Sequence, residues 1–228
     1  MSGKSNHETG ILTVLTQNIY FFIKASLFFM LTTLPSMIWL IIFERSLVDL
    51  IFLFLFGPAI AAMCRLMIAY IETDFGVDDY PEFSDYIKFY KKNFKESLTF
   101  WSPYCLLIFI LLTNIELYQW THVMISSAIN GIFILAIAFF TLVVSYFFVI
   151  SAKYKFTLSS LFRLSVFYLF TSIKGTLGML AVLFLVWILS LQVNEFIVFL
   201  LSGPITYMVV RYAYPILEDV NENFIDHT

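Results

Sequence analysis

Residues able to do chemistry are sparse in this chain of 228, and their spacing argues against a catalytic centre. His7, His122 and His227 stand far apart, two of them in terminal tails, so the His/Glu spacing of a membrane zinc hydrolase is missing. No Ser/His pair shares an apolar stretch in which one could serve as base for the other. Neither a Walker A sequence nor Gly-x-Gly-x-x-Gly occurs, so nucleotide hydrolysis is not expected. Cys64 and Cys105 both fall in apolar stretches without a partner in an outer loop, and no disulfide is expected. No catalytic residue, metal or cofactor is assigned, and the expectation is a protein that is not an enzyme.

The polar residues that do follow a pattern are basic. Lys24-Ala-Ser26-Leu27, Lys95-Glu-Ser97-Leu98 and Lys174-Gly-Thr176-Leu177 each close a basic, aromatic-rich segment and open an apolar one, 71 and 79 residues apart. A period near one third of the chain predicts three related helical hairpins, over 11–72, 82–153 and 157–218, within a single membrane domain 1–228. A second register joins the first and third: Gly57-Pro58, Arg65 and Glu72 recur at one offset, 146, as Gly203-Pro204, Arg211 and Glu218. The middle unit lacks this set. Lys24, Lys95, Lys174, Arg65 and Arg211 read as cationic anchors near inner helix ends, some snorkelling to the headgroups. The competing reading makes them contacts for an anionic headgroup or phosphate, with the lysines converging on a pseudo-threefold axis.

Composition sets what must position these residues. With 61% apolar residues, 27 Phe and only 13% charged residues, and a mean hydropathy of +0.89, the chain carries more apolar surface than a soluble core absorbs. Unbroken apolar runs exclude the alternation of a β-barrel. The expected fold is an all-α integral membrane protein of six transmembrane helices, over 25–43, 47–71, 98–115, 123–150, 175–191 and 196–217, arranged as three hairpins. Met1 to Gly10 are polar and open no cleavable signal sequence, so the first span is expected to be retained. With both termini in the cytoplasm, Arg45 is the one Lys or Arg left outside, as the positive-inside rule prefers. A net charge of -3 without a polybasic tract gives no nucleic-acid footprint.

Between the spans, Phe83, Tyr86, Ile87, Tyr90 and Phe94 keep helical spacing on one face, with Asp85, Lys88, Lys92 and Lys95 on the other. This predicts an amphipathic helix over 82–97 lying in the membrane interface, aromatic side down, with 11–23 and 157–173 as its counterparts; 157–174 could equally be embedded. Gly57-Pro58 and Gly203-Pro204 are expected to break helices 2 and 6 near their midpoints. Packing between helices accounts for such breaks; paired breaks can also mark a transport path. No predicted span has a carboxylate near its middle, which weighs against proton-coupled transport.

Leu34-Pro35, Gly57-Pro58-Ala59 with Ala61-Ala62, then Phe83, Phe89, Lys91, Lys92, Asn93-Phe94-Lys95 and Ser97 resemble the YesL-like family of bacterial membrane proteins, a domain family of unknown function. The later SYFFVISAKYKFTLSSLF resembles that family's fourth-span exit and following helix, although Val149 stands where the family tends to have proline. The resemblance implies a multi-pass protein of the bacterial cytoplasmic membrane associated with carbohydrate uptake and polysaccharide utilisation. On that footing the expected role is a nonenzymatic accessory protein. Its partners would be the lipid bilayer and an ABC-type sugar permease, met through Phe83, Phe89, Lys91, Lys92, Asn93, Phe94 and Lys95. The alternative is a small-molecule permease or channel whose path is lined by the breaks at Gly57, Pro58, Gly203 and Pro204. An apolar exterior suits a monomer in lipid as well as a symmetric oligomer.

Overall fold

The computed structural model describes residues 11–42, 53–72, 83–118, 123–193 and 195–224. Among these the chain is helical and contains no strand. The helices are α1 (Ile11–Ile42), α2 (Phe56–Glu72), α3 (Phe83–Tyr118), α4 (Val123–Lys153), α5 (Leu158–Thr171), α6 (Ile173–Gln192), α7 (Glu195–Leu200) and α8 (Ser202–Phe224). His7, His122, His227 and Arg45 lie outside the described residues.

Among the described residues, four helices are long and apolar enough to cross a membrane: Leu15–Trp39, Ser84–Leu117, Ser127–Lys153 and Ile173–Gln192. Of the two other predicted spans, 47–71 has 17 described helical residues, in α2, and 196–217 is divided. Helix α2 is the centre of the packing, in contact with α1, α3, α4 and α8. Eleven of its 17 residues are buried, among them Met63, Leu66, Met67 and Ile68. A helix apolar on all sides is an interior helix, and Ala59, Ala61 and Ala62 let its neighbours come close. The predicted span 196–217 is two helices, α7 and α8, parted at Leu201.

Two of the three expected interfacial helices are not separate elements. Segment 11–23 is the beginning of α1, and 82–97 from Phe83 on is the beginning of α3. At 1.5 Å per residue, α3 is about 54 Å long along its axis against a hydrocarbon core of about 30 Å, so part of it must lie outside that core. Nor does its aromatic face turn wholly to lipid. Tyr86 is completely buried, and its hydroxyl lies 2.9 Å from Thr32 Oγ1 on α1. Protein neighbours therefore take up a face that the spacing alone assigns to the bilayer. The third segment is a separate helix, α5. Thr157 caps its start by accepting from the Ser160 N–H, and Leu161, Leu164, Ser165, Tyr168 and Leu169 form its buried face. That face packs chiefly on α4.

Candidate functional site

Both Gly-Pro pairs sit at helix starts instead of mid-helix. Gly57 and Pro58 occupy the first turn of α2, Gly203 and Pro204 that of α8. Proline is tolerated in a first turn because its missing N–H would have no intrahelical partner there. The expected kink is thus a restart, and the backbone groups on either side need other partners.

At the first restart the Gly57 N–H donates to the Phe54 carbonyl at 3.3 Å. The Leu53 carbonyl, one residue earlier, accepts from the indole Nε1 of Trp101 on α3 at 2.8 Å. The same indole explains the glycine: a Cβ on Gly57 would stand 2.7 Å from both Cβ and Cγ of Trp101. At the second restart the Gly203 N–H donates to the hydroxyl of Ser26 on α1 at 3.0 Å. A Cβ on Gly203 would come within 2.8 Å of Ser26 Oγ and of the Phe22 carbonyl oxygen. Ser26 itself is fully buried.

The two restarts are neighbours. Phe56, just before Gly57, and Phe199, just before the second break, have ring centroids 6.0 Å apart, and Phe29 of α1 lies 6.2 and 6.4 Å from them. Further along the same helices Tyr70 and Tyr207 meet at 5.8 Å, Phe21 stacks on Tyr70 at 4.4 Å, and Phe22 lies 5.3 Å from Tyr207. α2 and α8 therefore run side by side in the same direction, with an aromatic column of α1 beside them. Tyr70 donates to Asn18 Oδ1 at 2.8 Å within this column. Next to it, Ser202 Oγ at the start of α8 is buried without a hydrogen-bond partner; Asn130 Oδ1 on α4 is the other such atom among the described residues.

In the Lys-x-(Ser/Thr)-Leu motifs it is the hydroxyl, not the lysine, that faces inward. Ser26 and Ser97 are buried. Thr176 Oγ1 donates to the Leu169 carbonyl at 2.9 Å, which leaves Tyr146 as donor in their 2.8 Å contact. Lys24 lies over the Tyr20 ring at 5.5 Å, and Lys95 and Lys174 are exposed.

The matched arginines and glutamates also part ways. Arg65 lies over the Phe89 ring at 5.6 Å, whereas Arg211 is exposed. Glu72 pairs at 2.8 Å with Lys153 of α4, whose ammonium also lies over the rings of Tyr154 and Tyr214. Tyr154 donates to the Leu217 carbonyl at 2.8 Å, so α2, α4 and α8 are tied together at this end. Glu218 is exposed, and it is Asp219 that binds a neighbour, accepting from Tyr168 of α5 at 2.5 Å. Burial, and then the Asp219 carboxylate, push the Tyr168 phenol above its ordinary range.

Of the residues predicted to meet a partner, Lys91, Lys92 and Lys95 are exposed, Phe89, Asn93 and Phe94 are half-buried, and the side chain of Phe83 lies outside the described set. With Lys88, which pairs with Asp85 at 3.0 Å, the lysines hold positions i, i+3, i+4 and i+7, one continuous helical stripe. Among the described residues no three of His, Cys, Asp and Glu gather as a metal cluster. The roles of Trp101 and Ser26 escape a reading of sequence alone: a tryptophan near an inner helix end reads as a headgroup anchor, and the one signal for Ser26 is its place in the repeated motif.

No curated protein and no solved structure matches the chain. Residues 18–115, from α1 through most of α3, are similar to a family described as a protein of unknown function, DUF624. The matched segment holds Ser26, Gly57-Pro58, Trp101 and the lysine stripe, so the first restart and everything that fills it belong to the part of the chain that resembles this domain of unknown function.

Proposed function

We propose that this chain is a nonenzymatic accessory protein of the bacterial cytoplasmic membrane, with six spans in three hairpins and both termini in the cytoplasm. It associates with a carbohydrate-uptake or polysaccharide-utilisation system. The observation that carries the reading is the fate of the interior polar groups. Trp101 fills and hydrogen-bonds the first Gly-Pro restart, Phe22 and Ser26 the second, and three phenyl rings close the space between. On the outside, the stripe of Lys91, Lys92 and Lys95 on α3 stays exposed. A partner-binding protein needs such a surface and no interior path. The carbohydrate setting and the choice of an ABC-type sugar permease as partner rest on the family resemblance.

The test is purification of a tagged copy from native membranes in mild detergent, under conditions that induce polysaccharide utilisation, with partners identified by mass spectrometry. A sugar permease in fixed ratio, lost when Lys91, Lys92 and Lys95 are all changed to Gln, is the expected result. Recovery of the chain alone as a defined oligomer overturns it.

One observation favours the second reading, a small permease or channel. The unpartnered Ser202 hydroxyl lies at the second of two adjacent helix restarts, the arrangement in which broken helices meet a substrate. Pro58→Ala combined with Pro204→Ala separates the readings in reconstituted vesicles: lost flux with intact assembly supports the path, and unchanged flux removes it.

A further inference from the structure

Away from the Gly-Pro restarts, a crevice of about 250 Å³ opens between α3, α4 and α5. Phe100, Pro103 and Leu107 of α3 face Val143 and Val144 of α4 across it, and Phe162 of α5 forms the third wall. The short valines opposite the proline leave the gap. Tyr104, the polar side chain on the wall, turns its hydroxyl to Thr141 Oγ1 at 2.9 Å. Thr141 already donates to the Ile137 carbonyl, so Tyr104 is the donor and offers no free hydrogen to a ligand. The space is therefore dry and suits a hydrocarbon chain.

One end of the crevice is marked by Phe100 and Phe162, whose rings are 6.4 Å apart, with Phe100 stacked on Phe147. Cations lie close in sequence to that end. Arg163 follows Phe162 on α5 and is exposed, and Lys155 is exposed three residues before α5 begins. On α3, Lys92 and Lys95 are exposed within two turns or so of Phe100. None of the four has an ion-pair partner among the described residues, unlike Lys88 and Lys153. The one carboxylate in this stretch of α3 is Glu96. A zwitterionic headgroup brings no net charge to such an excess of cations, whereas a phosphodiester without an amine does. Basic positions beside an apolar gap between membrane helices are the setting in which anionic lipids are held.

We propose that this crevice holds one acyl chain of an anionic phospholipid, with the lipid phosphate met by Arg163 and the neighbouring lysines 92, 95 and 155. The site lies outside both restarts; it shares Lys92 and Lys95 with the partner-facing stripe, and Arg163 and the crevice itself set the two apart.

The experiment uses the full chain reconstituted with equal amounts of phosphatidylglycerol and phosphatidylethanolamine, extracted in mild detergent and weighed by native mass spectrometry. One phosphatidylglycerol retained in preference to phosphatidylethanolamine is the expected result. Arg163→Gln lowers that preference about fivefold, the effect of one basic residue near an anionic lipid. Val144→Trp fills the crevice and removes the retained lipid from a chain that stays monodisperse. Arg163→Glu, at an exposed position that does not endanger folding, serves if Val144→Trp fails to assemble, and it should abolish the preference. Equal retention of the two lipids by the unaltered chain, or an undiminished preference in Arg163→Glu, overturns the proposal.

Discussion

The same substitution, glycine to alanine, should have opposite signs at two positions. At Gly57 an added methyl lands 2.7 Å from both Cβ and Cγ of Trp101 and 2.9 Å from Cδ1. Ordinary carbon contacts begin near 3.5 Å, so α2 and α3 must part by several tenths of an ångström. Rotating the indole does not help, because the nearest atom is its Cβ and that moves only with the α3 backbone. The parting also lengthens the 2.8 Å bond from the indole to the Leu53 carbonyl, which has no helical donor of its own. Overpacking of this kind costs about 1–3 kcal/mol. At Gly131, inside α4, nothing stands within 4 Å of the new carbon. There the substitution only improves helix propensity and should gain up to about 1 kcal/mol. Thermal unfolding in detergent reads both, at roughly 2–4 °C per kcal/mol for a chain of this size. Trp101→Phe keeps Cβ and Cγ, so it should not rescue Gly57→Ala. A Gly57→Ala protein as stable as the parent, or rescued by Trp101→Phe, would show that α2 and α3 do not meet as described.

Three further substitutions probe the ties around this contact. Ser26→Ala leaves the Gly203 N–H without its acceptor in a buried place and should cost about 1–3 kcal/mol, with Ser26→Thr milder if the extra methyl is accommodated; an unchanged melting temperature for Ser26→Ala refutes the cap. Glu72→Gln removes the charge from a partly exposed pair with Lys153, so its cost should stay below about 1 kcal/mol and shrink with added salt; a large, salt-independent loss would contradict that exposure. Tyr168 is an acid whose folded pKa lies above its unfolded value near 10. Its contribution is therefore complete below about pH 10 and is lost as pH rises through the folded value. The stability gap between the parent and Tyr168→Phe should hold steady up to about pH 9.5 and narrow above about pH 10, and a gap that widens there refutes the raised pKa.

What the sequence made legible was whatever depends on composition and on local stereochemistry. Apolar runs of about 20 residues gave helices, and Pro58 and Pro204 gave interruptions, because both follow from the backbone itself. The nature of the interruption was not legible. A proline preceded by glycine can sit in a kink or in a first turn, and only the Trp101 indole and the Ser26 hydroxyl, 44 residues after the first glycine and 177 before the second, supply partners that make a restart stable. The amphipathic face at 83–97 was misjudged in a similar way. Helical spacing shows that Tyr86 and Phe89 share a side, but lipid and a neighbouring helix are equally apolar. The burial of Tyr86 against Thr32 depends on α1 arriving there. The motif Lys-x-(Ser/Thr)-Leu drew the eye to its cation, although in a membrane protein a small hydroxyl at a helix contact carries the structural demand.

The distribution of satisfied groups bears on where this chain can act. A site inside a membrane protein announces itself by polar groups held ready at some cost, since an unpaired donor or acceptor in hydrocarbon is expensive. Here the interior tyrosines Tyr70, Tyr86, Tyr104 and Tyr146 each have a hydroxyl or amide neighbour on another helix. The carboxylate of Glu72 is paired and that of Asp219 is hydrogen-bonded. Two buried atoms stand apart, Ser202 Oγ and Asn130 Oδ1. A neutral hydroxyl and an amide oxygen can accept hydrogen bonds from a ligand or a water, but neither can move a proton at neutral pH. Exposed cations cluster in sequence on α3, on the approach to α5 and on α5 itself, as Lys91, Lys92, Lys95, Lys155 and Arg163. Recognition of an acidic partner or lipid at that end needs only these side chains.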